Sequence, residues 1–584
     1  MIEGEKMKLT QSLLKNTHSK NLALIVLILS LLPIVSTEYF SSLVGKAIIF
    51  AIFAISLDLA WGYGGILSLG HSIFFGLGAY AFTITALNIN SSLGIALGIM
   101  LGIGIPLIMA ALVSWFVFFS KTSPLYIGVV TLSLALLAEK LVIRFSSLTG
   151  GQNGLSGVPS FPFDGITLYY VLLFVFVLVI VISSILVNSD LGKVIIGVRE
   201  NDEKMQFLGF STPVVRMLVF CLSGALAGFA GVLYAPFDGF VSPSLVSFVL
   251  GTQVIVWVAI GGRGNIVGAV IGALLINLIS PYFNEYFPYI WQSILGLFFI
   301  ITVVFFPKGL YSVISKKRKN EINYELNLKS RNVTTLNMQK NILNIKNLGV
   351  SFGNLSILKD LNLEINSGEL QCIIGPNGAG KTTLINAITG RNNPTTGTIV
   401  ISGSSIEKDR PERIVDKGIA RTFQSTNVIG NLTVAENLQL ATSNGKLKSF
   451  YKNTNQIHLS PSTERLLKLS QLDKKLSLLA SELAHGDQQL LELCMAIALE
   501  PKVLLLDEPT AGLTSIERKE IGKLLNYLAH EESLSLLVIE HDIDFVKEIA
   551  DRVTVLYDGT IAADGTVAEI TRSDLVKQVY LGGH

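Results

Sequence analysis

Ten apolar stretches constrain the first half of this chain more than any other feature of its sequence. A membrane-spanning helix needs about 20 mostly apolar residues, and runs of that kind follow one another between residues 21 and 310. The predicted spans lie near residues 21–37, 43–62, 66–87, 93–119, 125–143, 166–187, 214–236, 244–261, 264–282 and 289–307. Residues 340–584 instead carry the mixed charge of a soluble α/β domain. The sequence therefore predicts a membrane half followed by a half outside the membrane.

Basic residues flank the apolar half on both sides. Lysines at positions 6, 8, 15 and 20 precede the first run, and the cluster Lys316-Lys317-Arg318-Lys319 follows the last one. Because basic flanks stay in the cytoplasm, both ends are expected inside, which requires an even number of spans. Ten spans satisfy this condition, and eight spans with re-entrant segments would satisfy it too.

Charge and cysteine content exclude several classes of function. The 584 residues include 45 Lys and Arg against 43 Asp and Glu, a net charge of +2. A net charge this small creates no overall electrostatic field that would recruit nucleic acid. The cysteines, Cys221, Cys372 and Cys494, are far apart and lack metal-ligand spacing, so neither a disulfide framework nor a zinc site is expected.

Three stretches of the membrane half are more than apolar filler. Residues 62–80 are dense in small residues, which favour close helix packing, and they include His71, for which a functional role and a structural, hydrogen-bonded role are both open. Residues 148–155 read as a glycine-rich turn at a predicted outer loop, or as the mouth of a pathway. Residues 191–209 form a predicted cytoplasmic loop whose apolar helical face favours docking on another surface over a solvated connection.

The second half begins with a phosphate-binding pattern. Residues 375–382, Gly-Pro-Asn-Gly-Ala-Gly-Lys-Thr, fit G-x-x-x-x-G-K-[ST] and lie between an apolar run and a helix-like run. The glycines let backbone N–H groups surround phosphates at a helix N-terminus. Lys381 is expected to reach the outer phosphates and Thr382 to ligate Mg²⁺. A chance glycine turn before a helix is the alternative for this octet alone.

Polar side chains at later strand ends complete a predicted ATPase site. A buried-looking strand ends in Asp507-Glu508, where Asp507 is placed to hold Mg²⁺ and Glu508 to polarise the attacking water. A second such strand delivers His541, a donor near the γ-phosphate. Gln424 follows a third and is expected to sense Mg²⁺ and the water. The predicted catalytic residues are therefore Glu508, His541 and Gln424, and the predicted Mg²⁺ ligands are Thr382, Gln424 and Asp507.

The ordered set of these motifs, from Phe352 to His541, resembles the ATPase domain of ABC transporters over residues 340–584. The resemblance implies that Phe352 stacks on adenine and that Gly486, in the signature Leu483-Ala484-His485-Gly486-Asp487-Gln488, contacts the ATP of a partner subunit. The residues expected to bind ATP are Phe352, Gly375, Asn377, Gly378, Gly380, Lys381, Thr382, Thr383, Asp507 and, in trans, Gly486. The signature departs from the common Leu-Ser-Gly-Gly-Gln at Ala484, His485 and Asp487, and Thr514 replaces the D-loop aspartate of many relatives.

The membrane half resembles the permeases of branched-chain amino acid importers, the Liv type, which have close kin among urea and amide importers. The resemblance is carried by residues 64–80, 149–154, 199–209 and 261–268. In the second half, residues 419–424, 485–488 and 580–582 look like the matching Liv ATPase. The implied fold is a polytopic α-helical membrane domain plus an α/β phosphate-loop ABC ATPase domain.

The resemblance predicts domains at residues 1–315 (permease, about ten helices), 316–341 (cytoplasmic linker) and 342–584 (ABC ATP-binding). The implied function is uptake of branched-chain or other hydrophobic amino acids, driven by ATP hydrolysis with Mg²⁺, at a bacterial inner membrane with the ATPase domain in the cytoplasm. Alternatives are import of urea or short-chain amides, and a membrane-anchored ATPase with a sensing role. The implied partners are a second ABC half, either a homodimer or separate permease and ATPase subunits, and an extracytoplasmic solute-binding protein, with no nucleic acid.

Overall fold

The computed structural model describes residues 17–120, 126–163, 165–314, 324–328, 341–424, 426–446 and 454–573. The basic residues at positions 6–15 and 316–319, most of the predicted linker, and residues 580–582 lie outside this part of the chain. The chain forms two compact units. The first comprises residues 1–199 and 213–320, and the second comprises residues 200–212 and 321–584.

The first unit is helical. Its helices, together with one short helix (α9) of the second unit's 200–212 segment, are α1 (Thr17–Val35), α2 (Glu38–Asp58), α3 (Ser72–Asn88), α4 (Ser92–Phe119), α5 (Tyr126–Arg144), α6 (Ser146–Thr149), α7 (Gly165–Asn188), α8 (Asp190–Glu200), α9 (Asp202–Phe207), α10 (Thr212–Asp238), α11 (Phe248–Gly261), α12 (Ile266–Tyr286), α13 (Trp291–Phe305) and α14 (Tyr311–Ile314). An apolar helix lies at each of the ten predicted spans. In the described residues six of them, among them α2 with its π-helical extension Leu59–Tyr63, are long and apolar enough to cross a membrane, and the other four are shorter.

Helix α2 is the centre of the first unit. Its span is 83% buried inside the protein, whereas the span of α4 is 22% buried. The apolar residues of α2 therefore face other helices, and many apolar side chains of α4, such as Met100 and Phe116, are exposed on the surface of the unit. A helix that is apolar all round is buried or faces lipid.

Glycines let helices α3, α4 and α10 approach closely. A Cβ atom on Gly78 would lie 2.2 Å from the carbonyl oxygen of Gly228, and one on Gly228 would lie 2.5 Å from Cγ of Pro106. Both distances are far below van der Waals contact, so only glycine fits at these crossings. Gly78 belongs to the 62–80 stretch, so the close helix packing predicted for the small residues of that stretch is present at this crossing.

A non-helical segment separates α2 from α3 and holds His71. Residues 64–71 are not helical, and the Leu69 N–H is satisfied by Thr131 Oγ1 at 3.1 Å. His71 is fully buried, with Nε2 3.0 Å from Ser56 Oγ and 3.4 Å from Ser223 Oγ. Its ring stacks on Phe53. These contacts support the structural reading of His71.

The glycine-rich stretch at residues 148–155 contains a tight 3-10 turn at Gly151–Asn153. Gly150, Gly151 and Gly154 have φ values of 74°, 60° and 73°, a region that favours glycine. The turn leads into strand β1 (Leu155–Ser156), which pairs antiparallel with β2 (Phe240–Val241).

The second unit is an α/β domain. Its strands are β3 (Glu325–Leu328), β4 (Leu343–Phe352), β5 (Leu355–Ile365), β6 (Leu370–Ile374), β7 (Thr396–Ile401), β8 (Ser404–Ser405), β9 (Ile419–Arg421), β10 (Gln456–Leu459), β11 (Val503–Asp507), β12 (Ser535–Ile539), β13 (Arg552–Tyr557) and β14 (Thr560–Gly565). Its further helices are α15 (Lys381–Ile388), α16 (Pro411–Asp416), α17 (Val434–Thr442), α18 (Pro461–Leu469), α19 (His485–Ala498), α20 (Ser515–His530), α21 (Ile543–Ile549) and α22 (Val567–Arg572).

The core sheet of this unit brings the phosphate loop and the segments that carry Gln424, Asp507, Glu508 and His541 to one edge. Its strand order is β14-β13-β6-β12-β11-β9, with β9, β11, β12, β6 and β13 parallel. The carboxyl ends of parallel strands meet at the same edge, where ligands bind in open α/β sheets. Strands β6, β11 and β12 end there and are buried at every residue, as expected for parallel strands covered on both faces. A separate antiparallel sheet has the order β5-β4-β7-β8.

The predicted linker contains a strand that the sequence did not indicate. Residues 325–328 form β3, which pairs in parallel with β10. The Glu325 N–H donates to the carbonyl oxygen of Asn455 at 3.1 Å. Polar and apolar residues alternate over only four positions here, which is too short a pattern to predict a strand. The strand forms because it pairs with β10, some 130 residues later in the chain.

Candidate functional site

The phosphate loop joins β6 to α15 as predicted from its pattern. Gly378 and Gly380 have φ values of 84° and 103°, and Gly380 is the N-cap of α15. A Cβ atom on Gly375 would lie 2.2 Å from the carbonyl oxygen of Leu556, and one on Gly380 would lie 2.7 Å from Leu358 Cδ2. The loop is therefore shaped by backbone conformations and close approaches that other residues do not permit.

Lys381 holds its ammonium group within this loop. Its Nζ donates to the carbonyl oxygens of Gly375 at 2.6 Å and Pro376 at 3.0 Å. Burial lowers the pKa of Lys381, and the nearby carboxylates of Glu508 and Asp507 oppose that shift. A cation next to a ring of backbone N–H groups at a helix N-terminus fits a polyphosphate. Thr382, at the start of the same helix, is exposed.

Asp507 ends β11 and pairs with an arginine that sequence reasoning did not assign. Arg421 Nη2 lies 3.2 Å from Asp507 Oδ2, and both side chains are at most 4% exposed. Arg421 also donates to Asn386 Oδ1 at 2.7 Å, so it joins β9 to α15. Burial raises the pKa of Asp507, and Arg421 lowers it. Arg421 lies three residues before Gln424, at the end of the buried strand β9. A charged residue at the end of a buried strand is a sequence signal that could have identified Arg421 as part of the site.

The side chains of Glu508 and Gln424, two of the residues predicted to be catalytic, are in contact. Gln424 Nε2 donates to Glu508 Oε2 at 2.8 Å. Glu508 has a φ of 51°, and its N–H donates to the carbonyl oxygen of Ile539 at 2.9 Å. A left-handed conformation at a non-glycine residue is strained and is typical of functional sites. Glu508 is thus held in an orientation fixed by two neighbouring strands.

His541 follows β12, and its side chain is 64% exposed. The residue before it, Glu540, is fully buried and was not assigned a role from sequence. Glu540 accepts hydrogen bonds from Thr510 Oγ1 at 2.7 Å and Thr510 N–H at 3.3 Å. Burial raises the pKa of Glu540, and the Thr510 hydrogen bond opposes the shift. Glu540 therefore connects the segment carrying His541 to the one following Glu508.

The altered signature begins helix α19. Ala484 is its N-cap and provides no side-chain hydrogen bond, in agreement with the departure noted in the sequence. A Cβ atom on Gly486 would lie 2.8 Å from Glu517 Oε1. Thr514, at the position of the D-loop aspartate, caps α20 through a capping box with Glu517. Thr514 therefore has a local structural role.

Phe352 ends strand β4 with 54% of its surface exposed. An exposed aromatic ring at the end of a strand is available to stack on a planar ligand. Asn377 and Gly378 are exposed, and Thr383 is half-buried.

The segment 200–212, here called the coupling loop, is in contact with the loop residues on both sides of Gln424. The rings of Phe207 and Phe423 meet at 5.2 Å between centroids. The Asn431 N–H donates to Glu200 Oε2 at 3.0 Å, and Asn201 bonds Asn427. The part of the predicted cytoplasmic loop that lies in the second unit therefore docks on a protein surface and is not a solvated connection.

Fold and site together define an ATP-binding cassette linked to a helical membrane domain. A family profile described as "Branched-chain amino acid transport system / permease component" matches residues 39–304, and the ABC transporter profile matches residues 358–511.

Individual relatives match the second half of the chain. The high-affinity branched-chain amino acid transport ATP-binding protein LivG of Escherichia coli K12 is 37% identical over 257 residues, which are 42% of this chain and 99% of LivG. The corresponding protein BraF of Pseudomonas aeruginosa is 33% identical over 253 residues, again 42% of this chain and 99% of the relative. A solved ATP-binding cassette of an ABC transporter, MJ1267 in its ADP conformation, is 29% identical, covers 42% of this chain and 100% of its own, and has a TM-score of 0.37.

The chain belongs to the ABC importers of the branched-chain amino acid type, with a permease domain fused to a LivG-like ATP-binding domain. It is a multi-pass membrane protein whose cassette hydrolyses ATP to drive transport.

Proposed function

We propose that this chain takes up branched-chain or other hydrophobic amino acids across a bacterial inner membrane, using ATP hydrolysed at its own cassette. One observation carries the proposal: a permease-type domain at residues 39–304 and a cassette similar to LivG and BraF occur in one chain. Those two relatives are named for branched-chain amino acid transport.

We propose the following roles for the ATP-site residues. Lys381 and the glycines of the phosphate loop bind the phosphates, and Phe352 stacks on adenine. Glu508, fixed by its backbone and by Gln424 at 2.8 Å, takes the proton of the attacking water. His541, which follows the neighbouring strand β12, donates to the γ-phosphate.

The oxygen ligands expected for Mg²⁺ fit that ion. Thr382 and Gln424 are exposed at the same sheet edge, and Asp507 supplies a carboxylate. Mg²⁺ in nucleotide sites is held by one or two carboxylates together with substrate phosphates and waters. Among the described residues no group of three or more His, Cys, Asp or Glu side chains forms a complete metal site. When bound, Mg²⁺ neutralises charge on the transferred phosphoryl group.

The cassette works as half of a composite site. Gly486 of the signature lies at the start of α19. In the family's arrangement, the signature of one cassette faces the ATP bound to another cassette. The assembly therefore requires either a second copy of this chain or a separate permease and ATPase. An extracytoplasmic binding protein delivers the amino acid. We infer a half-transporter from the single phosphate loop and single signature in the sequence.

Uptake into vesicles tests the substrate. Vesicles are prepared with the full chain, its partner subunits and the candidate binding protein. They should accumulate labelled leucine only when ATP is present on the side of the membrane where the cassette lies. The Lys381→Ala variant, which lacks the phosphate-binding cation, is the matched control and should lose uptake. Uptake of labelled urea with no uptake of any amino acid would overturn the proposed substrate.

A further inference from the structure

An ion pair between the coupling loop and helix α19 is almost completely buried. Lys204 Nζ, on α9, lies 3.0 Å from Glu492 Oε1. The two side chains are only 1% and 3% exposed. Residues 204 and 492 are 288 positions apart in the sequence.

Glu492 also holds the loop that carries Gln424. Its Oε1 accepts the Phe423 N–H at 3.2 Å, and its Oε2 accepts the Asn427 N–H at 2.9 Å. These two residues lie on either side of Gln424. Both carboxylate oxygens are therefore occupied, and the single side chain joins α9, α19 and the Gln424 loop.

The ATP-site residues lie close to these three segments. Helix α19 starts with the signature that contains Gly486, and Gln424 contacts Glu508 at 2.8 Å. Lys204 Nζ also lies 5.6 Å from the centre of the Phe423 ring. A shift of the signature helix or of the Gln424 loop would therefore move the carboxylate to which Lys204 is bound.

A second ion pair of the same loop provides a contrast. Arg391 Nη1 lies 2.7 Å from Glu203 Oε1, but these side chains are 49% and 35% exposed. Exposed ion pairs contribute little because water screens them. Buried ion pairs, in contrast, depend strictly on geometry and can specify one arrangement of the segments they join.

We infer that Lys204 and Glu492 are the positioning pair through which the signature helix and the Gln424 loop move the coupling loop. This inference rests on the proposed function, since it assigns the route from ATP hydrolysis to transport. Neither residue touches the reacting atoms, so the pair acts on the ratio of transport to hydrolysis and not on the chemical step.

The test compares full-length variants in membrane vesicles. Lys204→Met removes one charge, and the double variant Lys204→Met with Glu492→Gln removes both while keeping one oxygen that can accept a backbone N–H. Leucine uptake per ATP hydrolysed is expected to fall roughly tenfold or more in both, the scale of a typical coupling between sites. Lys204→Arg, which keeps the charge, and Glu203→Gln, on the exposed pair, should stay within about threefold of the unmodified chain.

The double variant separates coupling from simple stability. Replacing both partners of a buried ion pair is often neutral for stability, whereas removing one is costly. A pair with a purely structural role would therefore recover its uptake ratio in the double variant, and that recovery would overturn the inference. An unchanged ratio in Lys204→Met, or an equal fall of uptake and hydrolysis, would overturn it as well.

A substrate-independent measurement distinguishes this inference from the proposed function. Met205 is fully buried beside Lys204, so a cysteine placed there reports docking of the coupling loop through its rate of reaction with an impermeant maleimide. This rate should rise roughly tenfold in the Lys204→Met background. If the unmodified chain takes up no leucine, the proposed substrate fails. The labelling rate still decides the inference in that case, because an unchanged rate overturns it.

Discussion

At the scale of single residues, the cassette combines predicted and unpredicted side chains in one electrostatic cluster. Lys381, Asp507 and Glu508 follow from local motifs, whereas Arg421 joins them through its 3.2 Å contact with Asp507. Each buried charge in the cluster has a partner, as burial requires. Removing a partner is therefore expected to change the protonation of the group that remains.

Glu508→Gln should bind ATP with nearly unchanged affinity but hydrolyse it at least about 100-fold more slowly, because a carboxamide accepts no proton from water. Binding of a fluorescent ATP analogue and release of phosphate measure the two properties separately. Hydrolysis at the unmodified rate would show that another group is the base.

Arg421→Met should lower hydrolysis at neutral pH by roughly tenfold or more, because it leaves a buried carboxylate without its cation. Burial already raises the pKa of Asp507, and Arg421 opposes that shift. Without Arg421 the pKa rises further, more of Asp507 is protonated at neutral pH, and metal binding needs the deprotonated form. Raising the pH should therefore restore part of the lost rate.

The pH–rate profile of the full chain measures this effect. Arg391→Met, which removes a half-exposed arginine paired with Glu203, is the matched control. Its acidic limb should coincide with that of the unmodified chain. A profile of Arg421→Met that is lowered equally at every pH would contradict the assigned role.

At the scale of elements, glycine crossings decide how closely the membrane helices pack. Helices α3, α4 and α10 meet at Gly78, Gly228 and Pro106 with distances that leave no room for a side chain. Close backbone approach provides packing between helices that are equally apolar on all sides.

Gly78→Ala should destabilise the protein by about 1–3 kcal/mol, because its Cβ would lie 2.2 Å from the Gly228 carbonyl oxygen. Gly104→Ala, on α4, is the control, since a Cβ there meets nothing within 4 Å. That control should be neutral or stabilising by about 0.5–1 kcal/mol. Thermal unfolding of both variants in detergent measures the difference, and equal melting temperatures would show that the helices separate easily at this crossing.

At the scale of the whole molecule, the chain divides into a helical unit and an α/β unit, and the second unit includes residues 200–212 from between α8 and α10. It also includes β3, from within the predicted linker. A domain boundary at residue 342 would therefore remove a strand that belongs to the cassette.

A cassette fragment of residues 321–584 should melt higher than one of residues 342–584, by about 5 °C. The longer fragment keeps the β3–β10 pairing and the 3.3 Å contact of the Tyr324 hydroxyl with Thr433 Oγ1. Calorimetry of the two fragments under identical conditions makes the comparison. Equal melting temperatures would mean that β3 contributes no stability.

Much of this protein could be predicted from sequence because the relevant rules are local. A run of about 20 apolar residues predicts a spanning helix wherever it occurs, and the phosphate loop needs only eight consecutive residues between a strand and a helix. Asp507 and Glu508 could be placed because they end a buried apolar strand. The turn at Gly150 and Gly151 followed from residue type in the same way.

Only the tertiary structure determined which distant residues meet. Four contacts join positions far apart in the chain: the Lys204–Glu492 pair, the Arg421–Asp507 pair, the β3–β10 pairing and the contact of Ser223 with His71. No periodicity or motif reports such contacts, since each depends on how the chain folds back on itself. The sequence by itself thus determined the class of the protein and its nucleotide loop. The fold determined the partners of buried charges such as Lys204 and Arg421, because a buried charge needs a compensating group and for these two that group lies far away in the chain.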